Sequence, residues 1–116
     1  NNELPQVSEN DSVVKVIVEI SEKRLGVTAV IKNDKIIGII TDGDLRRMLS
    51  KTTEINNFTA KDIMGNNPKT INENAMAIEA LDALENNSIT QILVTDDTNR
   101  YAGVVHLHDL IKEGIF

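Results

Sequence analysis

Two copies of one motif organise this chain of 116 residues. Gly38–Leu45 has the sequence Gly-Ile-Ile-Thr-Asp-Gly-Asp-Leu, and 65 positions later Gly103–Leu110 has the sequence Gly-Val-Val-His-Leu-His-Asp-Leu. Glu9-Asn10 returns as Glu73-Asn74 after 64 positions, so one residue is inserted between the two matches. Self-similarity at a fixed period marks a repeated supersecondary unit. The chain therefore contains two copies of one small fold.

Each copy shows the pattern helix, strand, strand, helix. The predicted elements of the first copy are a helix on Val13, Val16, Ile17 and Ile20, strands over 28–31 and 36–40 around an Asn33-Asp34 turn, and a closing helix over 42–49. Those of the second copy are a helix on Ala77, Ile78, Leu81 and Leu84, strands over 91–94 and 101–105 around a turn at 96–99, and a closing helix over 107–112. The segment Ser8–Asp11 is a candidate capping box for the first helix, and Asn72 is a candidate N-cap for its counterpart. The extra residue is predicted to lie in the turn at 96–99, because loops accept insertions.

The strand segments are almost entirely apolar, which is typical of strands buried on both faces. One copy cannot cover both faces of its own small sheet, so the two copies are expected to pack as a pair. The predicted fold class is α/β (α+β), with a first repeat over 1–52, a connector over 53–66 and a second repeat over 67–116. Within the connector, 59–62 predicts a capped helical turn, and 66–68 predicts a turn into the second copy.

Composition and charge disfavour several classes of partner. Aromatic residues make up 3% of the chain and the net charge is −6, which opposes binding to nucleic acid. No apolar run approaches the roughly 20 residues that span a bilayer, and the chain has no Cys for disulfides or thiolate metal sites. We expect a soluble cytoplasmic protein, a fragment of a longer chain, with no membrane contact. Residues 1–60 carry a net charge of −1 and residues 61–116 carry −5, so an anion is repelled less by the first copy.

A polar motif lies where the second predicted strand of the first copy ends and a helix begins. A helix N-terminus offers unpaired N–H groups and a partial positive charge to an anion. The Thr41 hydroxyl could bond a phosphate oxygen, the Asp44 carboxylate suits the paired hydroxyls of a ribose, and Arg46 and Arg47 could neutralise phosphate charge. Thr28, in the neighbouring strand, could point into the same cleft. Because Thr-x-x-Asp is also a capping box that needs no ligand, both interpretations stay open.

The second copy differs at these polar positions. His106 replaces Thr41, whereas Asp109 keeps the place of Asp44. The histidine marks either a second, chemically different cleft or a tolerated substitution. His108 and Asp109 complete a poor set of metal ligands, and neither a nucleophile elbow nor a Gly-rich phosphate loop is present, so we expect no metal and no catalytic residues. The candidate ligand-binding residues are Thr28, Thr41, Asp44, Arg46, Arg47, His106, His108 and Asp109.

The chain resembles a tandem pair of CBS domains, often called a Bateman module. The resemblance rests on two copies of similar length, the Gly-Val-Thr-Ala-Val strand entry at 26–30 and the Gly-x-x-Thr-x-x-Asp close at 38–44, and it extends over 4–112. It implies nucleotide ligands, commonly adenosyl compounds, in two clefts between the halves.

The same resemblance assigns roles to individual residues. It implies that Thr41 and Asp44 hold the phosphate and ribose of one ligand, with Thr28 on the wall of that cleft. Asp109 matches the ribose position of the second cleft, where His106 departs from the usual Thr or Ser.

Four segments further resemble the C-terminal half of bacterial D-arabinose 5-phosphate isomerases. They are 23–28, 41–47, 67–71 and 106–110. In those enzymes a catalytic sugar isomerase (SIS) domain precedes the CBS pair. Their product is used in the synthesis of Kdo, the acidic sugar of lipopolysaccharide. That domain is absent from this chain. The resemblance implies a regulatory fragment that needs no cofactor and has no catalytic set of its own, from a parent aldose–ketose isomerase. It also implies a homodimer through the CBS faces and a tetramer of the parent.

The pathway implied by the resemblance suggests a ligand. CMP-Kdo, the activated end product, carries a ribose, a phosphate and a sugar carboxylate, and the basic residues of the first copy suit such a dianion. Two alternatives remain: a ligand-free module that only drives oligomerisation, and an adenine-nucleotide sensor that belongs to another enzyme.

Overall fold

The computed structural model describes residues 4–112, and the chain divides into two compact units, 1–68 and 69–116. The outer ends of the two predicted repeats, 1–3 and 113–116, lie outside the described residues. The segment predicted as a connector, 53–66, contributes a turn of 3₁₀ helix, an α-helix and a short strand to the first unit.

The first unit is a four-stranded sheet with three α-helices. Its elements are β1 (Gln6–Ser8), α1 (Val13–Lys23), β2 (Val27–Lys32), β3 (Lys35–Thr41), α2 (Asp42–Lys51), a 3₁₀ turn (Ile55–Asn57), α3 (Ala60–Ile63) and β4 (Gly65–Asn66). The strand order is β1-β2-β3-β4, with β1 parallel to β2 and the other pairs antiparallel. The second unit repeats this plan with a three-stranded sheet in the order β5-β6-β7. Its elements are β5 (Thr70–Asn72), α4 (Ala77–Asn86), β6 (Gln91–Thr95), β7 (Tyr101–His106) and α5 (Leu107–Lys112).

The predicted order helix, strand, strand, helix is confirmed in both units. Each unit also begins with a three-residue strand that sequence analysis missed, β1 and β5, which pairs parallel to the following strand. A run of three residues with at most one buried side chain carries too little periodicity to be recognised. The predicted helical turn at 59–62 is confirmed as α3.

The two hairpins carry the same irregularity at matching positions. In the first unit Val30 pairs with Gly38, and the register then shifts; in the second unit Val94 pairs with Gly103, and the register shifts at the same place. Four residues separate the paired Ile31 and Ile36, whereas five separate Thr95 and Tyr101. The inserted residue therefore lies in the β6–β7 turn, as predicted. The first turn is two residues long, and both Asn33 and Asp34 have positive φ, which is typical of a type I′ hairpin.

Two of the predicted helix caps were wrong. Ser8 and Asp11 bond each other in a turn, but α1 begins later, with Ser12 as the N-cap whose hydroxyl accepts from the Lys15 N–H. Asn72 forms a local turn with Asn74, and α4 instead begins after Met76, whose N–H donates to Glu79 at 2.7 Å. Several capping-type side chains are close together in both segments, and only the structure shows which one meets the helix.

Each unit has its own apolar core. The core of the first unit comprises Val7, Val13, Val16, Ile20, Val30, Ile40, Leu45, Met48 and Ala60. The core of the second unit comprises Ala80, Leu81, Leu84, Ile92 and Leu110. The central strands β2 and β6 are buried at consecutive positions, as predicted from their apolar runs. Ile78 belongs to the apolar pattern that predicted α4, but its side chain is 49% exposed.

Candidate functional site

The candidate site of the first unit lies at the start of α2. Thr41 ends β3 in an extended conformation and is the N-cap of the helix. Its hydroxyl accepts from the Asp44 N–H at 3.2 Å, and its own N–H donates to Asp44 Oδ2 at 2.9 Å. These two bonds form the capping box that the Thr-x-x-Asp spacing allowed. The cap is thus complete within the chain, and it fixes Thr41 and Asp44 side by side.

The second carboxylate oxygen of Asp44 forms an ion pair with Arg47. The guanidinium Nη2 pairs with Asp44 Oδ1 across one turn of the helix. The Arg47 side chain is 68% exposed, whereas that of Asp44 is 21% exposed. Because exposed ion pairs of this kind contribute only about 0–1 kcal/mol, this contact can exchange for another partner.

The absence of a side chain at Gly43 leaves space next to Arg47 and Thr41. A Cβ at this position would lie 3.4 Å from Arg47 Nη1 and 3.5 Å from Thr41 Oγ1. The guanidinium therefore lies over the first turn of α2, on the same side as the Thr41 hydroxyl. The sequence pattern did not show that Arg47 lies over this glycine.

Two further candidates of the first unit do not join this group. Arg46 is exposed and lies two positions from Asp44, a spacing at which helical side chains do not face each other. Thr28 is fully buried in β2 opposite Ile40, and its hydroxyl donates to the Ala29 carbonyl at 3.2 Å. A ligand-binding role for either residue stays a prediction.

In the second unit a histidine ring performs the capping function. His106 is the last residue of β7, and its Nδ1 accepts from the His108 N–H at 3.0 Å, in the first turn of α5. The imidazole nitrogen therefore does for α5 what the Thr41 hydroxyl does for α2. This contact shows that a histidine at the place of Thr41 can fill the capping role.

The other polar groups around His106 are spread out. The His106 and His108 rings meet edge to face with centroids 6.4 Å apart, and Asp109 is exposed in the first turn of α5. Over residues 4–112 no three His, Asp or Glu side chains are grouped so that they could hold a metal ion. Of the three candidate residues in the described part of the second unit, the structure brings His106 and His108 into ring contact.

The fold and these two helix starts define the class of protein. The sequence pattern of the CBS domain family matches residues 1–51 and 60–115, and the chain belongs to that family. Among solved structures, a CBS domain protein from Pyrobaculum aerophilum complexed with AMP superposes with a TM-score of 0.89 at 17% identity, over 99% of this chain and 88% of that one. The CBS domain pair of protein MJ0100, in complex with 5′-methylthioadenosine and S-adenosyl-L-methionine, superposes with a TM-score of 0.84 at 21% identity, over 97% of this chain and 89% of that one.

One curated relative points to a particular group of proteins that contain CBS domains. Arabinose 5-phosphate isomerase KdsD of Francisella tularensis is 42% identical over 111 residues, which are 96% of this chain and 34% of the enzyme. The chain thus spans about a third of the length of this relative, and it is homologous to one region of KdsD. The resemblance to the CBS pairs of arabinose 5-phosphate isomerases is confirmed. None of the helices described over residues 4–112 has the length and the apolar composition that a membrane span requires.

Proposed function

We propose that this chain is the regulatory module of an arabinose 5-phosphate isomerase of the cytoplasm and that it binds a nucleotide or a nucleotide sugar. Homology to part of KdsD supports the choice of parent enzyme. The two solved CBS proteins that carry AMP, or methylthioadenosine and S-adenosylmethionine, support the ligand class. The isomerase chemistry itself is assigned to a domain outside this chain.

The start of α2 supplies the groups that such a ligand requires. Thr41 and Asp44 are held side by side by the capping box. The helix N-terminus adds a partial positive charge that favours a phosphate. Asp44 Oδ1 is occupied only by an exposed arginine, so ribose hydroxyls can compete for it. This arrangement is the observation on which the ligand proposal chiefly rests.

CMP-Kdo is the proposed physiological ligand. It combines a ribose, a phosphate and a sugar carboxylate, and as the activated end product of Kdo synthesis it suits feedback on an early enzyme. Calorimetric titration of this chain with CMP-Kdo, CMP, AMP and ATP tests the choice. Heat of binding with the cytidine compounds supports it. Binding of AMP or ATP with no heat from the cytidine compounds would replace it with an adenine-nucleotide sensor.

A matched pair of variants tests whether Asp44 contacts the ligand. A ligand in hundredfold excess over its Kd raises the free energy of unfolding by about 2.7 kcal/mol. Asp44→Ala should lose this gain, whereas Asp62→Ala should keep it, because Asp62 makes comparable bonds to Thr59 at the start of a different helix, α3. Equal ligand-dependent melting shifts in both variants would show that Asp44 does not bind the ligand.

A scaffolding module is the second candidate function. The capping box of Thr41 and Asp44 is complete without a ligand, which this alternative requires. It assigns to the chain only the assembly of a homodimer through CBS faces and of a tetrameric parent enzyme. Sedimentation of the parent enzyme with and without this region tests it. Loss of the tetramer, together with no melting shift from any nucleotide, would favour scaffolding over sensing.

A further inference from the structure

Arg47 combines two features that Arg46, its neighbour in sequence, lacks. Its guanidinium contacts a carboxylate assigned to the ligand, and it lies over a glycine. The contact with Asp44 uses one N–H group, and the guanidinium has five N–H donors in a planar fork. Most of its hydrogen-bonding capacity therefore remains for another acceptor beside α2.

We infer that Arg47 is the residue that makes the site select phosphorylated over unphosphorylated nucleosides, by moving from Asp44 to the phosphate when the ribose binds. The inference rests on the proposed function and goes beyond it in naming the selecting residue. It requires no rearrangement of the backbone, since only one long exposed side chain changes its partner.

The exchange follows from the charges at the start of α2. Asp42 and Asp44 both lie in the first turn of the helix and oppose a phosphate there. A ribose that bonds Asp44 Oδ1 displaces the guanidinium, which then needs a new acceptor. A phosphate provides that acceptor and can take two parallel N–H bonds from arginine. A nucleoside displaces Arg47 in the same way but offers it no anion, so it binds less tightly.

Removing the guanidinium should therefore change the two ligands in different ways. In Arg47→Ala the nucleoside no longer competes with an ion pair, and its affinity should stay equal or rise. The nucleotide loses a charge-assisted contact, which corresponds to about a tenfold loss of affinity. The ratio of the nucleoside Kd to the nucleotide Kd is thus expected to fall about tenfold.

The experiment is isothermal titration of this chain with CMP and cytidine, and with AMP and adenosine. Wild type, Arg47→Ala and Lys51→Ala are compared, because both variants remove one exposed cation from the same helix and change the net charge equally, and Lys51 lies in the last turn, at the opposite end from the site. Unchanged far-UV circular dichroism and melting temperature establish that each variant is folded. Arg47→Gln, which keeps a polar side chain without the charge, replaces Arg47→Ala if the alanine variant fails this check.

Each outcome supports or overturns the inference. A lower ratio in the Arg47 variant, with the wild-type ratio in Lys51→Ala, supports it. An unchanged ratio in Arg47→Ala, or the same decrease in both variants, overturns it while the proposed function stands. Wild-type chain that binds none of the four compounds would overturn the role of Arg47, and if it also gave no heat with CMP-Kdo and ATP the proposed nucleotide-binding function would fall with it.

Discussion

The backbone of Gly38 lies directly against the side chain of Met64. A Cβ built on Gly38 would be 2.3 Å from Met64 Sδ and 2.8 Å from Met64 Cγ, distances at which one of the two must move. Gly38 is in β3, and β4, which pairs with it, begins immediately after Met64. The absence of a side chain at position 38 therefore lets the segment that precedes β4 pack onto the sheet.

Gly38→Ala should destabilise the first unit. The added methyl group overpacks the contact with Met64, and overpacking typically costs about 1–3 kcal/mol. Gly103→Ala is the matched control in β7, since a Cβ there would lie 3.8 Å from the Val94 Cβ, an ordinary contact. The midpoint of urea denaturation should fall in the first variant and stay near wild type in the second. Equal midpoints would show that Met64 moves away at no cost.

Ser12→Ala should destabilise α1. The Ser12 hydroxyl accepts from the Lys15 N–H at 3.2 Å, and loss of an N-cap side chain costs about 1 kcal/mol. Ser8→Ala is the control, because the bonds between Ser8 and Asp11 that define the preceding turn use only the backbone of Ser8. Urea denaturation followed by circular dichroism compares the two variants. A larger loss of stability in Ser8→Ala would return the cap to the position that the sequence pattern favoured.

The repeat made most of the fold predictable, because each element was seen twice. The long strands and helices carry clear hydrophobic periods, and the turn insertion was located by comparing the two copies. The short strands β1 and β5 could not be predicted, since they exist only through pairing with β2 and β6. The predicted helix caps were wrong where several polar residues lie close together in the sequence, as at Ser8, Asp11 and Ser12.

The candidate site was predicted in part for a similar reason. The capping box of Thr41 and Asp44 depends on a local spacing, and the sequence shows that spacing directly. The position of Arg47 over Gly43 depends on a side-chain rotamer, which no spacing determines. The burial of Thr28 depends on packing around β2, and a strand pattern alone does not distinguish a buried wall from an open one.

The chain should lose stability in acid partly through Asp62 and Asp96. A hydrogen bond from the Thr59 N–H, and then one from its hydroxyl, holds the pKa of Asp62 below its ordinary value. A hydrogen bond from the Arg100 N–H, followed by the Thr98 hydroxyl, lowers the pKa of Asp96 in the same way. Since both values are lower when folded, their stabilising contribution is present above the unfolded Asp pKa of about 3.9 and is lost as pH falls through the folded values.

Carboxylate titrations followed by NMR measure this directly. The midpoints of Asp62 and Asp96 should lie below that of Asp in an unstructured peptide. The double variant Asp62→Ala/Asp96→Ala should then lose less stability than wild type on acidification below about pH 4. Midpoints at or above the peptide value would contradict the expected direction.

His106→Thr should keep the start of α5 intact, whereas His106→Ala should destabilise it. The His106 Nδ1 accepts from the His108 N–H at 3.0 Å, and a threonine hydroxyl accepts a comparable bond at the matching position of α2. An alanine leaves that N–H without its acceptor, and loss of an N-cap acceptor costs about 1 kcal/mol. Amide hydrogen exchange at His108 and Asp109 measures the opening of this turn, and it should be faster in the alanine variant than in wild type or His106→Thr. Fast exchange in both variants would mean that the ring holds α5 by its size, whereas wild-type exchange in both would mean that this cap is dispensable.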